Sequence, residues 1–506
     1  MENMEKSEHK YCETVYDNHG DVVREADIIV PDYYPDVLKI VRADAIPVIT
    51  SVEPSKDKVT LSGNIMMVVL YMPEEGNTPQ ALRQTFDFES VMPATGVAEN
   101  SMLFTNIMLN YINCKMLNSR KLSLKVGADI HVKAENCGML SVLTPISDIE
   151  TQVENMHICN ITGRSDKSIK IEEDIEVPAA NPAIANHLYS YADAKPVEYK
   201  AINNKIIAKG VINVHTLYTA DGSGDIQYLD SEIPFSHIFD IDGVDDSSMC
   251  IVDMSVNALK TEIYENDGGE NRVIACECDV RCCGTAYNND EFEYCTDAFS
   301  TGYDYKCDKK KYHICSSMDF VNLAGNVREV VDFSREISRV FTSSGTVTVL
   351  NADIDDGKLN VSGNLNISML ALMADGDLDS LESSVPFTIT TAAGNAPRGS
   401  VIDSKLALDS FSFVISGATA VEIRASIGGV AIVKRMDKIE AVSDMSVDEE
   451  KPKKRAGDYI VLYYPSKNES IWDIAKRYNV KVSSIKDLNS FEGDVCDKNM
   501  LLIPKK

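Results

Sequence analysis

The chain has 506 residues, a formal charge of −29 at neutral pH and an apolar fraction of 44%. This length is too great for one hydrophobic core and predicts three or four domains. The negative charge argues against a nucleic-acid-binding protein, because such a protein needs a basic surface to displace counterions from phosphates. It also disfavours attachment to anionic lipid.

The first twenty residues are polar and charged and contain no apolar segment, so the sequence predicts no signal peptide. The longest apolar run, at 65–72, is too short to cross a bilayer, and no transmembrane segment is expected. We therefore expect a cytoplasmic protein in a reducing compartment. In that setting the thirteen cysteines are expected to form no disulfides.

One stretch of sequence occurs three times, at 58–72, 205–219 and 358–372. Its apolar residues are rich in β-branched side chains and alternate with a period of two, which is typical of strands. Every copy has a glycine (Gly63, Gly210, Gly363) and a leucine (Leu70, Leu217, Leu370) at matching positions. A glycine before a run that is apolar on both faces predicts a strand buried between two layers, with a bulge or bend at the glycine.

The sequence thus predicts a mainly β fold with three pseudo-repeated β-rich domains and a small C-terminal domain. Residues 441–455 have no periodicity, and an acidic run is followed there by a basic one, which is typical of a flexible linker. The predicted boundaries are 25–150, 175–305 and 325–440 for the β domains (the third divergent), 441–456 for the linker and 457–506 for the last domain.

A short helix is predicted just before the first repeated strand, within residues 30–43. Pro35 and Asp36 could begin it, and Val37, Leu38, Ile40 and Val41 would form its apolar side. Matching segments at 181–191 and 333–341 show the same pattern more weakly.

The densest group of potential metal ligands is the cysteine cluster at 276–283. Its Cys-x-Cys-x3-Cys-Cys spacing differs from the paired spacing of zinc sites. Because Cys276, Cys278 and Cys282 fall on the apolar face of a predicted strand, we interpret them as core residues. A metal-dependent enzyme, completed by Cys295, Cys307 or Cys315, stays open as an alternative.

No catalytic signature occurs in the sequence, which lacks a nucleophile elbow, a phosphate-binding glycine loop and a histidine metal motif. His215 lies on a central strand face and is interpreted as a core residue with satisfied hydrogen bonds. We therefore predict a protein that is not an enzyme, with no catalytic residue, metal ligand or cofactor.

The last fifty residues differ in composition and carry a net charge of +1, from eight Lys or Arg and seven Asp or Glu. They are predicted to form a strand, two helices and a strand, with Ser470 as the N-cap of the first helix. On that helix Ile471, Ile474, Ala475 and Tyr478 form the apolar stripe, and the only tryptophan of the chain, Trp472, lies at its edge.

A half-exposed Trp472 one turn from Lys476 has the composition of a protein-binding anchor. The alternative is that Trp472 packs on a loop of its own domain.

The string YIV…ESIWDIAKRYNV…IKDLN…KNMLLIP within 457–506 resembles a LysM domain. That resemblance implies a βααβ fold, and many LysM domains bind the N-acetylglucosamine backbone of peptidoglycan or chitin. The β units resemble the SPOCS domain of clostridial-type spore-forming bacteria. The resemblance is clearest in PDYYPDVLKI and in Asn118-Ser119-Arg120-Lys121 of the first unit, and the second keeps Asn271-Arg272.

SPOCS units followed by a LysM domain resemble the spore-coat morphogenetic proteins. The resemblance implies a scaffold or adaptor on the mother-cell side of the forespore surface, whose LysM domain binds a coat morphogenetic ATPase. The alternative is a protein that binds peptidoglycan in the cell wall or spore cortex. Either ligand is expected at the residues Ser466, Lys467, Asn468, Glu469, Trp472, Lys476, Asn489 and Phe491.

Overall fold

A computed structural model describes residues 6–76, 78–143, 149–453, 459–490, 492–495 and 500–505. Antiparallel strands account for nearly all of its regular structure, and two short helices lie near the C-terminus. The predicted mainly β fold is confirmed. Among these described residues, no helix is long and apolar enough to cross a membrane.

Eighteen strands form three units of six strands each. The first unit contains β1 (Lys6–Ile29), β2 (Val37–Ser55), β3 (Lys58–Pro73), β4 (Gln80–Pro93), β5 (Met102–Asn118) and β6 (Lys121–Leu143). The second contains β7 (Glu150–Glu176), β8 (Ile184–Ile202), β9 (Lys205–Ala220), β10 (Ile226–Asp240), β11 (Met249–Glu265) and β12 (Asn271–Phe299). The third contains β13 (Tyr303–Asp332), β14 (Ile337–Asp355), β15 (Lys358–Met373), β16 (Leu378–Ala392), β17 (Val401–Ile415) and β18 (Ala420–Pro452).

Each unit is a sandwich of two three-stranded antiparallel sheets. The second, third and fourth strands form a short sheet, and the first, sixth and fifth form a long sheet with the sixth strand in the middle. In the first unit Leu61 and Ile65 of the short sheet share one core with Leu122 and Leu124 of the long sheet. Since β1, β7 and β13 belong to the long sheets, the units begin at Lys6, Glu150 and Tyr303, earlier than the predicted boundaries.

The repeated glycines lie opposite β-bulges, as the sequence predicts. Gly63 pairs with Ile49, where the register of β2 shifts between Ile49 and Ser51. The other two units repeat the shift opposite Gly210 and Gly363. A Cβ atom on Gly63 would clash with the carbonyl oxygen of Val48, so the close approach of the two strands requires glycine there.

The predicted helix within 30–43 is wrong, because the chain enters β2 at Val37. The register of β2 against β3 shifts at Leu38 and again at Val41, the two residues left without a partner. Val37 is buried in the core of the first unit, Val41 is buried in the cluster between the units, and Leu38 is exposed. Two buried residues four positions apart in a bulged strand therefore imitate the spacing of a helix. The segments at 181–191 and 333–341 contain the same pair of shifts in β8 and β14.

The predicted linker is wrong for residues 441–452, which form the end of β18 and pair with β13. Ala441, Val442 and Met445 are buried there, packed in clusters that include residues of the other two units. Of the acidic residues that indicated a linker, Asp444 and Glu450 are exposed and Asp448 is partly exposed.

The three units pack together around a shared apolar cluster. The matching leucines Leu70, Leu217 and Leu370 are buried side by side in this cluster. One face of each repeated strand therefore packs in its own sandwich and the other packs against the neighbouring units. This arrangement explains the pattern that is apolar on both faces.

A buried ion pair joins the first unit to the third. Lys434 of β18 lies 3.0 Å from Glu135 of β6. Lys434 is only 7% exposed and Glu135 only 4% exposed. Asp403 contacts Lys434 and also Lys133 of β6, at 3.4 and 2.6 Å. Burial lowers the pKa of Lys434, but the charges of Glu135 and Asp403 outweigh it and raise that pKa above its usual value.

The described residues contain one disulfide, so the expectation that the cysteines form no disulfides is wrong. Cys12 of β1 and Cys137 of β6 are directly paired across the two strands, with Cα atoms 4.1 Å apart. Cross-strand neighbours at this separation bring their sulfur atoms within bonding reach.

Candidate functional site

The C-terminal module consists of β19 (Tyr459–Tyr463), α1 (Ile471–Tyr478), α2 (Val482–Asn489) and β20 (Leu501–Lys505). This is the predicted order of strand, helix, helix and strand, and β19 pairs antiparallel with β20. The Ser470 side chain caps α1 by accepting a hydrogen bond from the backbone N–H of Trp472 at 3.1 Å. Asn479 ends α1 in the left-handed conformation.

The apolar stripe of α1 is confirmed in part. Ile471, Ile474 and Ala475 are fully buried against β20 and α2, while Trp472 and Tyr478 are partly buried at the edge of the same cluster.

Glu469 fixes the loop that precedes α1. Its carboxylate accepts hydrogen bonds from the Tyr463 hydroxyl and the Ser466 backbone N–H, both at 2.9 Å, and lies 3.0 Å from Arg477. Burial raises the pKa of Glu469, but these partners outweigh it and hold that pKa below its usual value. The predicted site residues Ser466, Lys467 and Asn468 are exposed on this loop, whereas Glu469 points inward.

The loop that follows α2 meets the first loop. Ser470 forms an isolated β-bridge with Val495, and the Ile471 N–H donates to the Asp494 carbonyl oxygen at 2.9 Å. Asn489 joins α2 to β20, because its amide donates to the Leu502 carbonyl oxygen and accepts from the Leu502 N–H. Phe491, another predicted site residue, lies outside the described residues.

Trp472 and Lys476 face the β body. The indole Nε1 of Trp472 donates to Oδ2 of Asp297 at 2.8 Å, and Nζ of Lys476 lies 2.6 Å from the same oxygen. The Trp472 ring packs edge-on against Phe299, with ring centroids 4.9 Å apart. Trp472 is thus partly buried against β12, and its role as an anchor for a partner protein stays a prediction.

Asp297 is the centre of this contact. Only 14% of its side chain is exposed, and Lys309 of β13 is a third partner at 3.1 Å. Burial raises the pKa of Asp297, but its hydrogen bonds with Lys476, Trp472 and Lys309 outweigh burial and hold that pKa below its usual value. On the other side of the contact, Glu150 of β7 accepts a hydrogen bond from the Val482 N–H at the start of α2.

Sequence reasoning missed Asp297, Phe299 and Glu150 as contact residues. Asp297 and Phe299 lie about 175 residues before the helix that they bind, in a strand whose pattern indicates only a β-sheet. Nothing in the local sequence distinguishes Asp297 from the many exposed carboxylates of the chain.

The outer face of the β19–β20 sheet is apolar and exposed. Both helices cover the opposite face, where Leu501 and Ile503 are buried. On the outer face Ile460 and Leu462 are 55% and 58% exposed, and Tyr464, which directly follows β19, is 70% exposed. We call these three residues the sheet-face patch. Grouped exposed apolar side chains of this kind are characteristic of interaction sites.

The cysteine-rich strand is a core strand, as predicted. Cys276, Cys278 and Cys282 of β12 are at most 3% exposed and pack among aliphatic side chains of the second unit. Burial raises the pKa of Cys276 and Cys282 to about 12 and that of Cys278 to about 11. In the described part of the chain, no group of three or more His, Cys, Asp or Glu side chains could hold a metal ion.

His215 has its hydrogen-bonding capacity satisfied, as predicted. Its Nδ1 lies 2.5 Å from Asp230 and its Nε2 lies 3.3 Å from Asp193. The ring stacks on Tyr191 with centroids 4.5 Å apart. Burial lowers the pKa of His215, but the two carboxylates outweigh it and raise that pKa to about 9. A histidinium held between carboxylates stabilises the sheet.

The residues that carry the SPOCS resemblance have structural roles. The Arg120 guanidinium donates to the carbonyl oxygens of Tyr34 and Val30 and to Asp36, which holds the loop before β2 against the hairpin between β5 and β6. Arg272 donates to the Asn181 carbonyl oxygen at the equivalent place in the second unit.

A scan against protein families matches the SipL, SPOCS domain model to residues 36–117 and 183–264. The chain thus carries two copies of this domain. The first copy spans the short sheet of the first unit and all but the last residue of β5, and the second spans the short sheet of the second unit and all but the last residue of β11. The match indicates a sporulation-related protein. Comparison with curated proteins finds no match, and comparison with solved structures finds none either.

Proposed function

We propose that this protein is a non-enzymatic scaffold or adaptor in spore-coat assembly, and that its C-terminal module is a LysM domain that binds a coat morphogenetic ATPase. The two SPOCS copies support a role in sporulation. The βααβ order of the module supports the LysM assignment. The third β unit has the same six-strand order as the other two, which supports counting it as a third, divergent copy.

The sheet-face patch is the observation that carries the partner-binding part of this proposal. Trp472 and Lys476 are engaged by Asp297, so they are not available to a partner while the module is docked. The patch lies on the sheet face opposite the helices and has no partner within the described residues. Because buried apolar anchors dominate the energy of most protein interfaces, we place the ATPase contact on the patch.

Binding of the purified full-length chain to the purified ATPase tests this assignment. The double substitution Ile460→Asp and Leu462→Asp places two charges in the patch and is expected to weaken binding at least about tenfold. Ser483→Asp is the matched control, since it adds a charge at an exposed position of α2. Unchanged binding by the double variant would refute the patch as the contact.

The peptidoglycan alternative draws support from the exposed residues Ser466, Lys467 and Asn468, whose loop leads into the bridge between Ser470 and Val495. Sedimentation of the full-length chain with purified peptidoglycan separates the two functions. Strong co-sedimentation that is lost on Asn468→Ala and unaffected by the patch variant would favour the glycan.

A further inference from the structure

Three buried cysteines occupy equivalent positions in the three units. Cys12, Cys159 and Cys315 lie on the first strand of each long sheet, and each is directly paired with the sixth strand, opposite Cys137, Asn289 and Met436. They are 9%, 6% and 5% exposed and belong to one cluster between the units. Only the first unit has a second cysteine at the paired position, and these two form the disulfide.

The three strands that carry these cysteines approach one another closely. Asn160, next to Cys159, donates a hydrogen bond to the Lys10 carbonyl oxygen of β1, and Lys10 in turn donates to the Thr162 carbonyl oxygen at 3.2 Å. The Cys315 thiol donates a hydrogen bond to the Ser317 carbonyl oxygen at 3.3 Å and lies beside the Cys159 thiol. A disulfide and two neighbouring thiols therefore share one buried cluster.

The cluster also favours a thiolate at one position. The hydrogen bond from Cys315 lowers the pKa of Cys159, and the same bond raises the pKa of Cys315. Elsewhere in the chain, the thiols of Cys276, Cys278 and Cys282 are buried, and burial is the largest cause that raises their pKa values. Cys159 also lies next to Asn160, which binds β1 two residues before Cys12, so Cys159 is the thiol placed to attack the disulfide.

We propose that these four cysteines form a thiol–disulfide exchange site, which moves the disulfide from Cys12–Cys137 within the first unit to Cys159–Cys315 between the second and third units. The Cys159 thiolate attacks Sγ of Cys12, the Cys12–Cys137 bond breaks, and Cys137 leaves as a thiolate that takes up the proton released by Cys159. Cys315 then loses its proton and attacks Sγ of Cys159, and Cys12 leaves as a thiolate and is protonated.

The exchange consumes no oxidant or reductant, because one disulfide and two thiols are present before and after it. Its structural consequence is a covalent bond between β7 and β13, which belong to different units and are otherwise joined by packing and hydrogen bonds. Cys137 is partly exposed, so its release also produces a thiol that solvent reagents can reach.

Disulfide mapping of the full-length chain tests the exchange. The protein is incubated without air at about pH 8.5, where thiolates form readily, alkylated in acid and digested without reduction for mass spectrometry. We expect the Cys159–Cys315 peptide to increase in step with the loss of the Cys12–Cys137 peptide, while the number of free thiols stays constant. Persistence of the Cys12–Cys137 pair alone would overturn the proposal.

The Cys12→Ser variant separates exchange from direct oxidation. It removes the internal disulfide and is expected to lower the yield of the Cys159–Cys315 peptide at least about tenfold, since exchange needs a disulfide donor. Cys278→Ser is the control, because Cys278 is buried in the core of the second unit away from this cluster. An equal yield in Cys12→Ser and the unaltered chain would also overturn the proposal. If Cys12→Ser does not fold, the anaerobic time course of the unaltered chain tests the proposal by itself. A gain of the Cys159–Cys315 peptide without loss of the Cys12–Cys137 peptide would exclude exchange.

Discussion

Asp297 of β12 and Trp472 of α1 are joined by a hydrogen bond of 2.8 Å that fixes the C-terminal module on the β body. Lys476 and Lys309 add ion pairs to the same carboxylate, and Phe299 packs against the indole ring. The only tryptophan of the chain is therefore a docking residue within the molecule. This contact leaves the sheet-face patch exposed.

Asp297→Asn should release the module. The substitution removes the charge that pairs with Lys476 and Lys309, and loss of one partner from such a mostly buried group costs about 3 kcal/mol. We expect limited proteolysis to separate the module from the β body faster in this variant than in the unaltered chain. Asp304→Asn on β13 alters an exposed carboxylate and should be cleaved like the unaltered chain.

Acid should release the module in the same way. Because the folded pKa of Asp297 lies below its ordinary value of 3.8, its stabilising contribution is complete above that value and is lost as the pH falls through the folded pKa. Proteolysis by an acid-active protease should therefore show release only at low pH. In the Asp297→Asn variant, release of the C-terminal module should not change as the pH falls below 3.8.

Glu135→Ala should destabilise the packing of the first unit on the third. It leaves Lys434 buried with only the more distant Asp403 as partner, and an uncompensated buried charge costs about 3 kcal/mol. The double variant Glu135→Met and Lys434→Met should recover most of that loss in urea unfolding, since it removes both charges. Glu198→Ala, which breaks an exposed pair with Lys209, should change the free energy of unfolding by less than about 1 kcal/mol.

The free energy of unfolding should fall at alkaline pH, because His215 then loses its proton. Its folded pKa of about 9 lies above the ordinary value of 6.5, so its contribution is complete below pH 6.5 and disappears as the pH rises through about 9. The difference in pKa corresponds to about 3 kcal/mol. His215→Gln should abolish this part of the pH dependence in urea unfolding, whereas His313→Gln, at an exposed position, should keep it.

Gly363→Ala should disrupt the bulge between β14 and β15. The added Cβ would clash with the Thr348 carbonyl oxygen and approach Phe387 closely, which should lower the free energy of unfolding by about 3 kcal/mol. Gly302→Ala is the control, because a Cβ there meets no atom within 4 Å and the backbone is not left-handed. Equal stability of the two variants would show that the close approach is not required.

Periodicity predicted the parts of the fold that repeat. The alternation around Gly63, Gly210 and Gly363 predicted buried strands with bulges, and the stripe on α1 predicted which residues it buries. The same reasoning failed at Val37 to Val41, where two bulges give a strand the spacing of a helix. It also failed at 441–452, where the three buried residues Ala441, Val442 and Met445 are too few to reveal a strand.

The contacts of the candidate site could not be predicted because they are distant in sequence. A helical wheel placed Trp472 at the edge of the stripe on α1, but it could not show that Asp297, 175 residues earlier, covers that edge. Cys12 and Cys137 meet because β1 pairs with β6, and Cys159 and Cys315 join them only because residues of all three units pack in one cluster.

Acrylamide quenching of the fluorescence of Trp472 tests the central claim most directly, because the chain contains no other tryptophan. If Asp297 and Phe299 hold the indole against β12, the unaltered chain should be quenched weakly and the Asp297→Asn variant strongly. Strong quenching of the unaltered chain, equal to that of the variant, would contradict the docked position of the module.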